Sequence, residues 1–225
     1  MDELLEAQTS GSSLMQGVVI ALVTDNQDPQ NLARIKVTYP VLNNELESDW
    51  VRMVSFMAGN DRGGYFLPEV GDEVLVAFAF GNINSPYVIG ALYNGVDKPP
   101  QNNEDGENNI REIRSRSGSV MRFNDKESAE TVEIIDKTGN NKIVISTEDN
   151  TISISTDQDI NLTATNGTVA INAQDIELTG RNSISLNGGE VKIKAESSLS
   201  AESGASTSIE SGASVSVKGV TINLN

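Results

Sequence analysis

The residues with the clearest potential for chemistry are carboxylates in loops, where two acidic groups, or an acid beside a base, lie close in sequence. Such groups can transfer protons as general acid and general base. Because 32 of the 225 residues are acidic, loop carboxylates are expected to be solvated surface groups, and we assign them no catalytic role. The pairs are Asp25/Asp28, Asp61/Arg62 and Asp72/Glu73.

A calcium loop is the second kind of chemistry that the sequence suggests, at DQDIN, residues 157–161. An EF-hand loop requires glycine at its sixth position, where this chain has Leu162. The chain also contains no histidine and no cysteine, which excludes Ser-His triads, imidazole and thiolate metal sites, and disulfides. We therefore predict no enzyme activity, no metal site and no cofactor.

The net charge of −16 limits the possible partners. Such a field repels phosphate backbones and anionic lipid, and residues 15–100 hold five basic side chains against ten acidic ones. Nucleic acid is therefore not an expected partner. The first 14 residues lack a basic segment followed by an apolar one, and no apolar run reaches membrane-spanning length. We expect a soluble chain without a cleaved signal peptide or a transmembrane segment.

The chain divides by composition into five segments. Residues 1–14 are polar and small and are predicted to be a flexible or partner-ordered arm. Residues 15–94 hold five strand-like runs, which predict a small closed barrel. Residues 95–109 are a Pro-containing polar linker, and residues 110–142 alternate like a short β-meander. The five runs are MQGVVIALV, ARIKVTYP, WVRMVSFM, DEVLVAFAF and PYVIGALY.

The fifth segment, residues 143–225, is a repeat with a period of about eight residues. Most units contain two aliphatic residues separated by one polar residue, a spacing that places both side chains on one face of a strand. The gaps between first members are 9, 8, 9, 7, 8, 7, 8, 8 and 8 residues. The first members are Ile143, Ile152, Ile160, Val169, Ile176, Ile184, Val191, Leu199, Thr207 and Val215.

One octad cannot fold alone. Burial of two aliphatic side chains contributes roughly 3 to 6 kcal/mol, whereas ordering eight residues costs about 1 to 2 kcal/mol each. Stacked octads around a narrow aliphatic axis would share the burial, either within one chain or between three interwound chains. The period alone does not choose between these, although it disfavours a β-sandwich and a six-residue left-handed β-helix.

The predicted core of the repeat consists of its inward aliphatic residues. These are Ile143, Ile152, Ile154, Ile160, Leu162, Val169, Ile171, Ile176, Leu178, Ile184, Leu186, Val191, Ile193, Leu199, Ile209, Val215 and Val217.

Three blocks of the sequence resemble the central spike proteins of contractile injection machines, the phage baseplate assembly protein V family and the matching part of VgrG. GDEVLVAFAFGNINSPYVIGALYNGVDKPP, residues 71–100, is similar to the end of that family's OB-fold domain. DPQNLARIKVTYP, residues 28–40, is similar to its D-P-x-x-x-x-R-x-K-V segment. IRSRSGSVMRFNDKE followed by VEIIDKTGNNKI resembles the neck that joins barrel and β-helix.

The resemblance implies an all-β homotrimer, in which a five-stranded OB-fold barrel precedes an intertwined triple-stranded β-helix. It implies a structural, membrane-puncturing component of a phage tail baseplate or of the baseplate of an injection system. The implied partners are a hub protein at the OB end, the target cell envelope, and a PAAR-type tip protein at the C-terminal end. From their position and alternation at the end of the repeat, Val220, Ile222, Leu224 and Asn225 are predicted to form the tip-docking surface.

Some features of the family are missing from this sequence. There is no hub-like region before the barrel, so a separate hub protein is expected, and the linker leaves no room for a lysozyme domain. Without histidine the chain has no His-x-His iron motif at its tip.

Two other functions remain possible from the residues. A trimeric β-helical tail fibre that binds a receptor or polysaccharide has the same repeat, but no aromatic residue follows Phe123, and sugar sites use aromatic stacking. An OB-fold nucleic-acid-binding protein is the other, and the charge of the barrel disfavours it.

Overall fold

The computed structural model describes Met15 and residues 17–223, and for residues 43–45 only the backbone. The predicted N-terminal arm and two predicted tip residues, Leu224 and Asn225, lie outside the described residues. The chain divides into two units, residues 1–161 and residues 162–225. Among the described residues, no helix is long and apolar enough to cross a membrane.

The first part of the chain forms eight short strands and one 3-10 helix, Ala79–Gly81. Each of the five predicted runs coincides with one strand, because these runs are rich in β-branched residues. Three further strands, β3, β5 and β6, were not predicted. The strands are β1 (Val18–Asp25), β2 (Lys36–Tyr39), β3 (Asn43–Glu47), β4 (Arg52–Met53), β5 (Ala58–Gly59), β6 (Arg62–Gly63), β7 (Glu73–Phe78) and β8 (Pro86–Ala91).

Six of these strands form one sheet in the order β3-β2-β1-β7-β8-β4. The pairs are antiparallel except β4 with β8, which is parallel. A bridge between Ile35, which precedes β2, and Val51, which precedes β4, joins the second strand of this sheet to its last strand. The result is a closed barrel of β1, β2, β4, β8 and β7, with β3 extending it as a hairpin. This all-β, five-stranded arrangement confirms the predicted OB fold.

The barrel core is made almost entirely of β-branched residues. Its members recur at alternate positions along β1, β2 and β7, so every second side chain points inward. Full burial of each valine or isoleucine contributes about 1.5 to 3 kcal/mol. The buried residues are Ala21, Val23, Ile35, Val37, Tyr39, Val51, Val74, Val76, Phe78 and Val88.

An ion pair holds the loop between β1 and β2. Asp28, which is buried, accepts hydrogen bonds from Arg34 Nη2 at 2.7 Å and Arg34 Nε at 2.8 Å. It also accepts from the backbone N–H groups of Gln30 and Leu32. The guanidinium of Arg34 holds the pKa of the Asp28 carboxyl well below its ordinary value, and the backbone donors add to this against the opposing effect of burial.

The second sheet is an antiparallel meander of five strands in the order β9 to β13. Neighbouring strands are joined by short turns, as the alternation of the sequence predicts. The sheet continues through residue 155, so its last two strands contain the first octads of the repeat. The strands are β9 (Ile110–Arg114), β10 (Val120–Asn124), β11 (Thr131–Ile135), β12 (Lys142–Ser146) and β13 (Thr151–Ser155).

The described part of the second unit, residues 162–223, forms neither helix nor strand within this chain. One hydrogen bond between backbone groups occurs in it or at its start, from Gly167 N to Ala164 O at 3.4 Å. Buried backbone N–H and C=O groups in native proteins are nearly all paired. Apart from a few groups bonded by nearby serine side chains, the backbone groups of this unit must therefore bond to water or to another chain.

Candidate functional site

The meander sheet has two chemically different faces. Its register aligns apolar side chains from all five strands on one face, in two rows across the sheet. One row is Ile113, Met121, Ile134, Ile143 and Ile154. The other row places Arg111 beside Phe123, Val132, Ile145 and Ile152. We call the nine apolar members of these rows the apolar face.

The apolar face is not covered within the chain. Its side chains remain between 36% and 72% exposed, although each is large and aliphatic or aromatic. Isolated exposed apolar residues are ordinary on protein surfaces, but a contiguous patch of this kind marks an interaction surface.

The opposite face of the meander carries a row of ion pairs. Glu112 lies between Arg114, at 2.8 Å, and Arg122, at 2.9 Å, and Arg122 also contacts Glu133 at 3.4 Å. The Glu112 side chain is only 1% exposed. Burial opposes its ionisation, but hydrogen bonds from Gln101 and Arg122 and the charge of Arg114 together lower its pKa. The charges of Glu112, Glu133, Arg114 and Arg122 on this face are therefore paired within the chain.

The octads repeat in the exposure of their aliphatic pairs as well as in sequence. In six complete pairs, the first aliphatic residue is 52% to 57% exposed and the second is 63% to 73% exposed. Such narrow ranges show that each pair is exposed to a similar degree in the single chain. The pairs are Ile160/Leu162, Val169/Ile171, Ile176/Leu178, Ile184/Leu186, Val191/Ile193 and Val215/Val217.

The corners of consecutive octads are closed by serine side chains. Ser203 Oγ accepts hydrogen bonds from the N–H groups of Ala205 and Ser206, at 3.3 and 3.1 Å. Eight residues later, Ser211 Oγ accepts from the corresponding positions, 213 and 214, at 3.2 and 3.1 Å. This is a local serine turn. Each of these two corners is therefore encoded by its own octad.

The predicted core residues fall into two groups. Ile143, Ile152 and Ile154 lie on β12 and β13 and belong to the apolar face. The others, from Ile160 to Val217, are exposed in the single chain. They lie after β13, in the part of the repeat that we call the octad segment, residues 156–225. Of the predicted tip residues that are described, Val220 is fully exposed and Ile222 is also exposed. The roles of the predicted core residues and of the predicted tip residues stay predictions.

Six residues of the apolar face were missed by the sequence reasoning. These are Ile113, Met121, Phe123, Val132, Ile134 and Ile145. The alternation of apolar and polar residues in REIR, VMRFN, TVEII and KIVIS would have identified them as one face of a sheet.

The loop carboxylates considered for catalysis have structural surroundings. Asp28 is bound by Arg34, Asp25 accepts from the N–H of Gln27, and Asp72 accepts from the N–H of Glu69. Asp61 lies in the turn between β5 and β6. Within the described ranges, no group of three or more His, Cys, Asp or Glu side chains is arranged to hold a metal ion.

The barrel matches a known family. Residues 19–93 match the family model described as the Type VI secretion system/phage-baseplate injector OB domain. The spike protein VgrG3 of Vibrio cholerae is 33% identical over 94 residues, which are 38% of this chain and 9% of that protein. The spike protein VgrG1b of Pseudomonas aeruginosa is 27% identical over 110 residues, or 48% of this chain and 14% of that protein.

A third relative carries a different name. The actin cross-linking toxin VgrG1 of Vibrio cholerae is 34% identical over 71 residues, which are 30% of this chain and 6% of that protein. The chain thus aligns with only 6% to 14% of the length of these three relatives. What they share with it is the OB barrel and the residues around it. The barrel, residues 19–93, is therefore similar to the OB domain of spike and phage-baseplate proteins.

Proposed function

We propose that this protein is the central puncturing spike of a contractile tail or injection machine and works as a homotrimer. Two observations support the proposal. The OB barrel matches the injector OB domain of spike proteins, and an octad segment with exposed aliphatic pairs follows it in the chain. The second observation carries the proposal, because it suggests the rigid shaft that puncturing requires.

The octad segment has the properties of a strand that is completed by other chains. Its backbone groups have almost no partners within the chain, and its aliphatic pairs stay more than half exposed. Three interwound copies would pair each strand with a neighbouring copy and turn the aliphatic residues toward a common axis. With about 4.8 Å between neighbouring strands, the eight octads that follow β13 would advance on the order of 40 Å.

The proposed shaft comprises residues 143–225, and the barrel, linker and neck comprise residues 15–94, 95–109 and 110–142. The strands β12 and β13 pair within the chain, so we expect winding between chains to begin after residue 155. The protein has no catalytic role in this proposal. The name of the actin cross-linking relative does not extend to this chain, since the two share only the barrel region.

The proposed partners follow from the two ends of the trimer. A separate hub protein would bind at the OB end, and a PAAR-type tip protein would bind the last layer, which includes Val220 and Ile222. The exposure of both side chains supports a docking role. Deletion of residues 219–225 should abolish binding of a tip protein and leave the trimer intact. Unchanged binding after the deletion would refute this assignment.

The mass of the protein in solution tests the trimer. Light scattering should give a threefold multiple of 24.0 kDa. The trimer should also resist detergent, because interwound chains must unwind before they separate. A monomer of 24.0 kDa in which the aliphatic pairs are protected from solvent would overturn the proposal.

A further inference from the structure

The octads do not by themselves determine how three chains align. The sequence ESGAS occurs at residues 202–206 and again at residues 210–214, and the same serine turn forms in both places. The aliphatic pairs also have nearly constant surroundings. If one chain slips by eight residues, equivalent side chains still meet, and only the contacts of an end octad are lost. Register is weakly specified in such repeats.

The meander sheet does not have this ambiguity. Its apolar face contains one aromatic residue, Phe123, and one methionine, Met121, among isoleucine and valine. Met121 lies beside Ile134 of β11, and Phe123 lies beside Val132 of the same strand. A shift of one copy along its partner would bring side chains of different shape together. This face therefore has a single best alignment between copies.

The sheet is also complete within one chain. All of its strand pairs, from β9 to β13, are formed by the chain itself. Four charged side chains of its other face are paired internally, with Glu112 between Arg114 and Arg122 and Arg122 also against Glu133. What the chain leaves uncovered is the apolar face. Copies can therefore meet here through side chains alone, without exchanging strands.

We propose that the apolar faces of three copies pack against one another and set the register of the chains before the octads wind. The inference rests on the proposed trimeric spike. The occupant of the face is a second and a third copy of this chain, because the face leads directly in sequence, through Ile152 and Ile154, into the octads that require those copies.

The order of folding and association follows from how far apart in sequence the contacting residues are. The meander is built from hairpins between consecutive strands, and local contacts of this kind form quickly. The octad segment has no such contacts within one chain. The meander of each chain therefore folds first, and the three sheets associate before winding begins.

Cross-linking of a single cysteine tests the register. The protein has no cysteine, so Leu186→Cys introduces the only thiol in each chain. In a trimer in register, the three thiols meet at one level of the axis, and about two thirds of the chains can form disulfides between copies, because each bond joins two of three. A chain that has slipped by one octad places its thiol out of reach.

The test variant weakens the apolar face by Phe123→Ala together with Ile134→Ala. Both residues are about half exposed in the single chain, so the sheet itself should fold. The matched control removes similar apolar groups from the octads, by Leu178→Ala together with Ile193→Ala. Each double variant is combined with Leu186→Cys, unfolded, refolded, oxidised and analysed by mass and by gel electrophoresis.

We expect the apolar-face variant to refold more slowly and to give at least twofold less cross-linked product at unchanged threefold mass. The octad control should keep the cross-linked fraction of the parent. If the apolar-face double variant gives no threefold mass, the milder variant Phe123→Leu replaces it, and its refolding rate and cross-linked fraction are measured in the same way. Equal refolding rates and equal cross-linking in all variants would overturn the register role while leaving the trimer in place. Absence of threefold mass in the parent would instead refute the proposed spike.

Discussion

The substitution Ile184→Asp tests the shaft most directly. Ile184 is the first member of a pair in the middle of the octad segment, where fraying from an end cannot relieve a defect. It is 57% exposed in the single chain, so association would remove this remaining surface from water. Because full burial of isoleucine contributes about 1.5 to 3 kcal/mol, the lost burial amounts to about 1 to 1.7 kcal/mol for each chain and about 3 to 5 kcal/mol for three.

The introduced carboxylates add a larger effect. Each would be moved from water into an aliphatic axis without a partner, at several kcal/mol per ion, and three would meet at one level. The sum is on the order of 10 kcal/mol or more, comparable to the whole stability of an ordinary domain. At neutral pH the variant should therefore lose its threefold mass, which light scattering measures.

A matched control and a pH series separate charge from misfolding. Ser183→Asp adds the same charge on the opposite face of the strand and should keep the threefold mass. In Ile184→Asp, the pKa of the buried carboxyl would be raised above its value of about 3.9 in the unfolded chain. The neutral form is tolerated at low pH, so the threefold mass should return as the pH falls toward that value. A trimer that persists at neutral pH in both variants would refute the inward assignment of the pairs.

Three further predictions concern the barrel. Asp28→Asn should lower the unfolding midpoint at pH 7, since the ionised carboxylate holds the guanidinium of Arg34. The pKa of Asp28 is lowered by folding, so its contribution is present above about 3.9 and is lost as the pH falls below that value. Thermal unfolding at neutral and acidic pH should show this difference shrinking with acid, and a difference that is the same at both pH values would contradict the argument. Gly63→Ala should destabilise the hairpin of β5 and β6 by about 1 to 3 kcal/mol, because φ of Gly63 is +140° and an added Cβ would lie 2.3 Å from the backbone oxygen of Met57. The control is Gly90→Ala, where an added Cβ meets open space. Equal unfolding midpoints for the two variants would contradict the argument. Tyr39→Phe should leave the unfolding midpoint unchanged or raise it, because the buried hydroxyl makes no hydrogen bond of good geometry among the described residues and has only the Ser48 hydroxyl near it. A clear loss of stability would show that the two hydroxyls are bonded.

The barrel was predictable because its strands are local patterns. Alternating β-branched residues in β1, β2 and β7 meet one core, and pattern and structure agree there. Strand β3 was missed because NNELE is polar and lies at the edge of the sheet, where pairing with β2 rather than burial forms the strand. The hairpin of β5 and β6 was missed for a similar reason, since its two-residue strands are short and rich in glycine.

The meander was predicted as an element, but its two faces were not. The row from Glu112 through Arg122 to Glu133 depends on the register between β9, β10 and β11. That register follows from the length and geometry of two turns, which composition does not reveal. The triple-stranded β-helix stays a prediction, because its contacts join different chains.

The serine-closed corners have a consequence for the evolution of shaft length. Since Ser203 and Ser211 each close their own turn with groups two and three residues ahead, duplication of the coding sequence for one octad would add a corner and a rung without altering those before it. Loss of one octad would likewise leave the other corners unaltered. The reach of such a needle would therefore change in discrete increments, and related genes could adapt to envelopes of different thickness by slippage of the replicating strand.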